Sequence, residues 1–338
     1  MTFALDWDYT MIKNVFSAFD GISCAQLALH QSGISYEKYY ASEIDRFAIS
    51  VTQLNFPQTI QVGNIKTVNP NSLSKIDLMI GGFPCQSFSI AGNKLGFKDN
   101  RGKLFFDMYY LFNALKPKYF IFENVKMRSD IRGAISTLLG VEAIEINSNK
   151  FTAQNRKRLY WTNIPVRKYY DEGILLADIL ESDIAMQEKA NTVDANYWKG
   201  GSEKNFKLKR NLKLPTSQSE RRYQVLTEAR TESAKAQRRE NLKNGIDYCS
   251  RADKVYVPRT DHKSNTITTS GDENILLGEN DKLRLLTPIE CERLQGIPDN
   301  YTAILSNTQR YKSIGNGFTV PVIAHILRGI NETPSALQ

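Results

Sequence analysis

The residues best suited to chemistry in this sequence follow two predicted strands. Cys85 comes directly after the run Gly81-Gly82-Phe83-Pro84, and Glu123 follows the next strand candidate along the chain. Cysteine is the most nucleophilic side chain near neutral pH, and a carboxyl group can hold or transfer a proton. The pattern predicts a catalytic pair with Cys85 as nucleophile, whereas each residue alone is also compatible with a buried cysteine or a helix-capping carboxylate.

Two weaker signals indicate a nucleoside-containing cofactor. A glycine turn, Phe19-Asp20-Gly21-Ile22-Ser23, joins the first predicted strand to a helix, so a ligand can approach the backbone and meet helix N–H groups. Glu43 ends the second predicted strand roughly 20 residues later, where a carboxylate can accept hydrogen bonds from ribose hydroxyls. The chain contains neither a complete G-x-G-x-x-G run nor a G-x-x-x-x-G-K-[ST] phosphate loop.

An alternation of strands and helices positions these residues. The predicted strands are Lys13–Phe19, Tyr36–Ser42, Ile76–Ile80, Tyr119–Phe122, Ala143–Ile146 and Leu159–Ile164. The predicted helices are Ser23–Gly33, Ile44–Asn55, Leu104–Leu115 and Ile131–Leu139. This alternation predicts a mostly parallel α/β sheet covered on both faces, which binds ligands outside the carboxyl ends of its strands.

The chain divides into parts by pattern. We expect a first domain over residues 1–165 and a smaller, loop-rich domain over residues 166–283, where periodicity decays. Residues 284–330 return to regular structure, with Thr287 and Glu290 as a helix-starting box and a final helix over Thr319–Ile330. Residues 331–338 are expected to be a frayed tail.

Charge is concentrated in the second part. The chain carries a formal charge of +8 with a pI of about 9.1. From Lys199 to Arg259 there are 16 Lys and Arg against 7 Asp and Glu, so this stretch accounts for the whole excess. A local basic excess favours a polyanionic partner such as nucleic acid, although a solvated surface helix over Thr227–Lys243 would give the same count.

Composition excludes several classes of protein. No apolar stretch approaches the roughly 18 residues that cross a bilayer, and the first residues lack the pattern of a signal peptide. The 4 cysteines and 3 histidines are scattered, which argues against a disulfide framework and against a zinc site. We therefore expect a cytoplasmic protein with no metal.

Eight segments occur in the order and spacing of a known family. They are Phe19-Asp20-Gly21, Glu43, Gly82-Phe83-Pro84-Cys85-Gln86-Ser87, Arg101-Gly102-Lys103-Leu104-Phe105-Phe106-Asp107, Glu123-Asn124-Val125, Gln154-Asn155-Arg156-Lys157-Arg158, Arg284-Leu285-Leu286-Thr287-Pro288 with Glu290-Cys291-Glu292-Arg293-Leu294-Gln295-Gly296, and Gly315-Asn316-Gly317-Phe318. Together they resemble the first, second, fourth, fifth, sixth, eighth, ninth and tenth motifs of the DNA (cytosine-5) methyltransferases. The resemblance covers about residues 1–165 and 283–330.

This resemblance implies a Rossmann-like methyltransferase fold that uses S-adenosylmethionine. Residues 1–165 would be the catalytic and cofactor-binding domain, and residues 166–283 the target-recognition domain. The implied cofactor-binding residues are Phe19, Asp20, Gly21, Ile22, Ser23, Glu43, Ile44, Asn64, Ile65, Pro84, Leu104, Asn316 and Phe318. The implied catalytic residues are Cys85, Glu123, Arg156 and Arg158.

The same resemblance implies covalent activation of cytosine. The Cys85 thiolate adds to C6, Glu123 acts at N3, and C5 then accepts the methyl group of S-adenosylmethionine. Arg158 is expected to hold Glu123 and the base O2, and Arg156 to help position the base. Because C6 is attacked from above the ring, the base has to leave the stack.

Two positions depart from the family pattern. Ser23 stands where the first motif commonly has its second glycine, and Asn64 stands where the third motif usually has an aspartate for the adenine amino group. The amide oxygen of Asn64 can still accept a hydrogen bond. Both departures fall on the implied cofactor pocket, and neither touches the residues implied in the chemistry.

Three functions follow as hypotheses. The first is a cytosine methyltransferase of double-stranded DNA, acting as a monomer in the cytoplasm at the nucleoid of a bacterium or phage-infected cell, with a cognate restriction endonuclease as genetic partner. The second is the same chemistry on tRNA, which the length and charge of residues 165–283 disfavour. The third is a catalytically silent DNA-binding homologue, which the intact Cys85, Glu123 and Arg158 disfavour.

Overall fold

The computed structural model describes residues 12–84, 103–181, 211–212, 224–230, 232–243, 254–258, 275–277 and 283–331. Strands of the first sheet are β1 Asn14–Ala18, β2 Lys38–Ser42, β3 Ile60–Gln61, β4 Leu78–Gly82, β5 Tyr119–Val125, β6 Ile144–Asn147 and β7 Lys157–Thr162. The helices are α1 Cys24–Ser32, α2 Arg46–Asn55, α3 Lys103–Leu115, α4 Ser129–Leu139, α5 Glu232–Lys243, α6 Pro288–Gln295, α7 Asn307–Asn316 and α8 Val320–Arg328. Short 3-10 turns include Ile65–Thr67 and Ser148–Lys150.

Among the described residues, the first sheet has seven strands in the order β3-β2-β1-β4-β5-β7-β6. The pairs from β3 to β5 are parallel, and β7 runs antiparallel to both β5 and β6. This confirms the predicted mostly parallel α/β sheet. The strand order reverses between β1 and β4, which is the place where such sheets bind their ligands.

Both faces of the sheet are covered. Along β4, Leu78 and Ile80 belong to one buried cluster and Met79 to the other, because successive side chains of a strand point to opposite faces. The first cluster packs under α1 and α8, and the second, which includes Phe105 and Trp161, packs under α3 and α4. No helix in the described part of the chain is long and apolar enough to span a membrane.

Local sequence signals explain the helix ends. Gly33 ends α1 in the left-handed region with φ 73, as its glycine predicted. Thr287 and Glu290 form the predicted box at the start of α6, with the Glu290 amide donating to Thr287 Oγ1 and the Thr287 amide donating to Glu290 Oε2. The final helix, expected over Thr319–Ile330, is α8 with one 3-10 turn after it.

One strand boundary differs from the prediction in a way that matters for the site. The prediction ended the strand at Phe122, but β5 continues to Val125 because Glu123–Val125 pairs with β7. Glu123 therefore lies within a strand rather than in a loop. Residues 332–338, most of the predicted tail, lie outside the described residues.

A second sheet lies in the region where the periodicity decays. Its strands are β8 Asn211–Leu212, β9 Gln224–Arg230, β10 Lys254–Pro258, β11 Ile275–Leu277 and β12 Leu283–Leu285. Their order in the described chain is β12-β11-β9-β10-β8, with α5 directly following β9. Four of these strands have five residues or fewer, and the sequence pattern did not identify the sheet.

The returning segment is held by a buried ion pair. The Glu292 side chain in α6 is fully buried and accepts from the amide and hydroxyl of Thr302, from the amide of Asn300 and from Arg310 Nη2 at 3.0 Å. These donors satisfy the buried carboxyl group and fix α6 against α7.

We expect Arg310→Met to lower the free energy of unfolding by about 3 kcal/mol, because it leaves the buried Glu292 carboxylate without its cation. Urea denaturation followed by circular dichroism measures the change. Lys150→Met is the control, since the Lys150–Asp171 pair is exposed and its loss should change stability by less than about 1 kcal/mol. Equal effects of the two substitutions would contradict this account.

Candidate cofactor and catalytic site

The carboxyl ends of four strands meet at one edge of the first sheet. Ala18 of β1 pairs with Ser42 on one side and Gly81 on the other, and Gly82 of β4 pairs with Glu123 of β5. The predicted cofactor turn, Glu43 and the residues after Gly82 therefore start from neighbouring positions. The sequence predicted the catalytic and cofactor-binding residues at this edge of the sheet.

The turn after β1 has an unusual backbone. Phe19, Gly21 and Ser23 have φ values of 57, 60 and 58, which lie in the left-handed region. Glycine enters this region freely, whereas another residue is disfavoured there by roughly 1–2 kcal/mol. The turn is therefore held in place by interactions elsewhere, and it delivers the chain to the first residue of α1, Cys24.

Buried polar side chains lie beneath this turn. Asp20 is 4% exposed and accepts hydrogen bonds from Tyr39 Oη at 2.6 Å and from Ser23 Oγ. Burial raises the pKa of the Asp20 carboxyl to about 6, while the hydroxyl donors oppose that rise. Gln26 Nε2 donates to Ser23 Oγ at 3.0 Å and to Thr59 Oγ1 at 2.8 Å. The turn and the network therefore form one unit.

Glu43, at the end of β2, joins that strand to the turn. Its Oε2 accepts from the Gly21 amide at 2.8 Å, and its Oε1 accepts from the amides of Ile44 and Asp45 at 2.7 and 2.8 Å. A carboxylate can accept about four hydrogen bonds, so the geometry leaves room for one further donor. A ribose hydroxyl is a donor of the required kind.

The neighbouring predicted residues differ in exposure. Ile44 is 72% exposed, although it is a large apolar residue, and it follows Glu43 directly. Asn64 is exposed, and its Oδ1 accepts from the Lys66 amide at 3.1 Å, which caps a 3-10 turn. Ile65 is buried in the second cluster. Ile44 therefore presents an exposed apolar side chain next to the carboxyl end of β2.

Gly82 lets a ring and a carboxylate lie against the end of β4. A Cβ at Gly82 would stand 2.8 Å from Cε1 of Phe318 and 3.3 Å from Oε2 of Glu123. Any larger residue would have to displace the Phe318 ring, so glycine is required here. The structure thereby brings Phe318, predicted for the cofactor pocket, next to the predicted catalytic carboxyl.

Glu123 and Arg158 form an ion pair across β5 and β7. Arg158 Nε lies 2.9 Å from Glu123 Oε1, and the two side chains are 13% and 15% exposed for Glu123 and Arg158 respectively. Partial burial strengthens such a pair relative to one in open solvent. The predicted contact between these two residues is present, and it orients the carboxyl group.

Arg156 lies in a different environment from Arg158. It is buried, and its guanidinium donates to the carbonyl oxygens of Gly315 at 3.3 Å and Gly317 at 3.0 Å. Burial lowers the pKa of Arg156 to about 10, and the nearby Arg158 adds to that effect. These contacts hold the loop before Phe318, and the expected role of Arg156 in positioning the base stays a prediction.

The remaining predicted residues fall into three groups. Leu104 is half-buried beside the second cluster, and Asn316 is exposed at the end of α7. Pro84 is half-buried and is the last described residue of its segment. Cys85 lies outside the described residues, as do Gln86, Ser87, Arg101 and Gly102.

Two site residues were missed by the sequence analysis. Asn124 Nδ2 donates to the Phe83 carbonyl at 3.0 Å, which ties the chain after β4 to β5. Asn124 directly follows Glu123 in the segment Glu123-Asn124-Val125, which resembles the sixth family motif, and this position could have indicated its role. Tyr301 Oη donates to the Ile22 carbonyl at 2.8 Å, and no local pattern connects residues 279 positions apart.

The side chains at this edge fit S-adenosylmethionine. Glu43 offers an acceptor for a ribose, Ile44 offers an exposed apolar face for a base, and the left-handed turn exposes backbone where no side chain intervenes. A Cβ added at Gly21 would meet nothing within 4 Å. An open backbone beside an acidic group and an apolar face suits a nucleoside with a small polar tail.

Comparison with known proteins identifies the family. The chain matches the family described as C-5 cytosine-specific DNA methylase over residues 13–138 and 140–332. It is 30% identical over 327 residues to the type II methyltransferase M1.ScrFI of Lactococcus lactis subsp. cremoris, covering 90% of this chain and 74% of that protein. It is 25% identical over 428 residues to the orphan methyltransferase M.SPRI of Bacillus phage SPR, covering 94% and 97%.

A solved structure shares the fold. The crystal structure of a DNMT2 variant from Spodoptera frugiperda superposes with a TM-score of 0.63 at 20% identity, covering 95% of this chain and 100% of that one. The family match spans residues 13–138 and 140–332. The strand order of the first sheet and the motif residues at its edge agree with that match. The chain belongs to the C-5 cytosine-specific DNA methylase family, whose members transfer a methyl group from S-adenosylmethionine to C5 of cytosine in DNA.

Proposed function

We propose that Cys85, Glu123 and Arg158 are the reacting and orienting groups for methylation of an extruded cytosine in double-stranded DNA. The observation that carries this proposal is the Glu123–Arg158 ion pair beside Gly82. Cys85 follows Phe83 by two positions in the chain, and the Phe83 carbonyl accepts a hydrogen bond from Asn124, the residue after Glu123.

Each group has one role in the proposed reaction. The Cys85 thiolate forms a bond to C6 of the cytosine, and the electron density that moves into the ring is neutralised by a proton held at N3 by Glu123. Arg158 binds Oε1 of Glu123, which leaves Oε2, on the Gly82 side, to contact N3. After C5 is methylated, loss of its proton to a base expels the thiolate and restores the ring.

The proposed cofactor residues surround the turn after β1. S-adenosylmethionine supplies an electrophilic methyl group when bound. Glu43 accepts from the ribose, Ile44 covers the adenine, and the turn from Phe19 to Ser23 lines the methionine side. Asn64 and Ile65 lie at the adenine edge, and Pro84, Leu104, Asn316 and Phe318 complete the pocket.

We assign target recognition to residues 166–283. This region carries the basic excess between Lys199 and Arg259, and its described part includes the second sheet and α5. Phosphate contacts from such a region would offset the few kcal/mol needed to unstack a base. Residues 1–165 and 284–330 form the catalytic part.

The names of the relatives support a proposal for the cellular setting. We propose a monomer that acts in the cytoplasm at the nucleoid, in a restriction-modification system with a cognate endonuclease, because relatives at 27–30% identity are named type II methyltransferases. The similar phage enzyme is named an orphan methyltransferase. Expressing the neighbouring genes in a host with and without this enzyme distinguishes the two settings. A cognate endonuclease would kill the host that lacks the enzyme.

Labelled S-adenosylmethionine with either duplex DNA or tRNA tests the choice of substrate. We expect label in the DNA, and bisulfite sequencing of DNA from expressing cells should locate it at C5 of cytosine in one sequence context. Label in tRNA alone would replace DNA by tRNA as the substrate. DNA binding without any methyl transfer would favour a silent homologue.

Cys85→Ser should abolish methyl transfer while DNA binding in a gel-shift assay is retained, because a hydroxyl is far less nucleophilic than a thiolate. Wild-type protein should also form a complex with DNA containing 5-fluorocytosine that survives a denaturing gel. Cys291→Ala is the matched control, since Cys291 is buried and burial raises the pKa of its thiol. Near-normal activity of Cys85→Ser would rule out the covalent route.

Glu123→Gln should reduce the turnover number by about 10²- to 10⁴-fold, because an amide cannot hold the N3 proton as a carboxyl group does. Arg158→Met should cause a smaller loss, since the carboxyl group remains but is no longer oriented. Lys157→Gln is the control on the same strand, where the side chain is exposed. Single-turnover methylation measures all three, and a fully active Glu123→Gln would remove Glu123 from the mechanism.

A further inference from the structure

The turn after β1 has a serine where the left-handed backbone favours glycine. Ser23 has φ 58 and is fully buried, and it directly precedes α1. Its hydroxyl donates to Asp20 Oδ2 and accepts from Gln26 Nε2 at 3.0 Å. We propose that Asp20 is a positioning residue, whose carboxylate holds Ser23 in this conformation and so sets the affinity for S-adenosylmethionine without contacting the cofactor.

The hydrogen bonds beneath the turn run in one direction. Tyr36 Oη donates to Gln26 Oε1 at 2.7 Å, Gln26 donates to Ser23, and Ser23 donates to Asp20. Tyr39 donates to the other carboxylate oxygen of Asp20. Asp20 is therefore the acceptor at which the chain of donors ends, and removing it leaves two hydroxyl donors without their acceptor.

The geometry separates Asp20 from direct cofactor binding. Both of its carboxylate oxygens are engaged by neutral hydroxyl groups of the protein, and the residue is 4% exposed. Asp20 influences the exposed part of the turn through the backbone, because the Ser23 amide donates to the Asp20 carbonyl at 3.2 Å. Between them, the Gly21 amide is bound to Glu43. A shift of Ser23 would therefore move the Gly21–Glu43 contact.

The rest of the turn is fixed from other elements. The Asp20 amide donates to the Ser42 carbonyl at 3.1 Å, Thr52 Oγ1 lies 3.3 Å from the Gly21 carbonyl, and Tyr301 Oη donates to the Ile22 carbonyl. These contacts hold the three residues that precede Ser23. The Ser23 hydroxyl accepts from Gln26 Nε2 and lies 3.3 Å from Thr52 Oγ1, and the acceptor of its own proton is Asp20.

Among the side chains of this network, the Asp20 carboxyl group is the one whose charge changes near pH 6. Burial raises its pKa to about 6, and the facing carboxylate of Glu43 adds to the rise. The other titratable groups around it, Tyr36, Tyr39, Tyr301 and Cys24, have pKa values raised by burial and stay neutral at that pH. On protonation, Asp20 becomes a donor at one oxygen and loses one of its two acceptor roles. Cofactor binding should therefore weaken below about pH 6.

The proposal rests on the proposed function in that the turn binds S-adenosylmethionine, and it is tested by direct binding. Calorimetry measures the dissociation constant for S-adenosylmethionine in full-length wild type, D20N, S23G and D20N/S23G. We expect D20N to weaken binding about tenfold, as for loss of a hydrogen bond to a charged group. Glycine reaches φ above zero unaided, so D20N in the S23G background should change affinity less than about threefold.

Three further measurements separate positioning from simple loss of structure. The turnover number of D20N at saturating cofactor should fall less than its affinity, and its melting temperature controls for unfolding. D77N is the matched control, since Asp77 accepts from the Lys13 and Asn14 amides at the opposite end of β1. Lowering the pH from about 7.5 to about 5.5 should weaken binding by wild type and leave D20N/S23G unchanged.

Two results would overturn the proposal. A D20N/S23G protein that binds as weakly as D20N would mean that the carboxylate acts on the cofactor directly, and unchanged affinity of D20N would mean that it does not act at all. Absence of methyl transfer by a wild type that binds cofactor would instead refute the proposed function and leave the role of Asp20 decided by the binding data.

Discussion

The buried guanidinium of Arg156 is the contact on which the assembly of this site depends. It donates to the carbonyl oxygens of Gly315 and Gly317, which lie 159 and 161 residues further along the chain. Its pKa of about 10 keeps it cationic at neutral pH, so the carbonyl dipoles stabilise a charge that burial disfavours. The last part of the chain is thereby fixed against the first, and Phe318 is placed on Gly82.

Glu123 and Arg158 are held by strands rather than by loops. Glu123 lies within β5, paired with Gly82 on one side and with Tyr160 of β7 on the other. Arg158 comes from β7 itself and fixes one oxygen of the carboxyl group. A group supported from two neighbouring strands has little freedom to reorient, and such rigidity favours interactions that are made at a defined point of a reaction.

The cofactor side of the site uses a different kind of support. The left-handed conformations at Phe19 and Ser23 are disfavoured for residues with a Cβ, and at Ser23 a buried network around Asp20 supports that conformation. A glycine would have given the same backbone without these contacts. With serine at position 23, the backbone of the turn depends on the hydrogen bond to the Asp20 carboxylate. The conformation of the turn therefore depends on whether Asp20 is protonated.

The sequence by itself determined the alternation of strands and helices, the box at Thr287 and Glu290, and the segments that identify the family, because these depend on neighbouring residues or on order along the chain. The contact between Glu123 and Arg158 was implied by the family resemblance, and the predicted strand ended at Phe122, whereas pairing with β7 extends β5 to Val125. Only the tertiary structure decided that Arg156 binds the Gly315 and Gly317 carbonyls while Arg158 binds Glu123, and that Tyr301 supports Ile22. The physical reason is that the partner of a buried polar group is set by distances between segments far apart in the chain, which no local periodicity encodes.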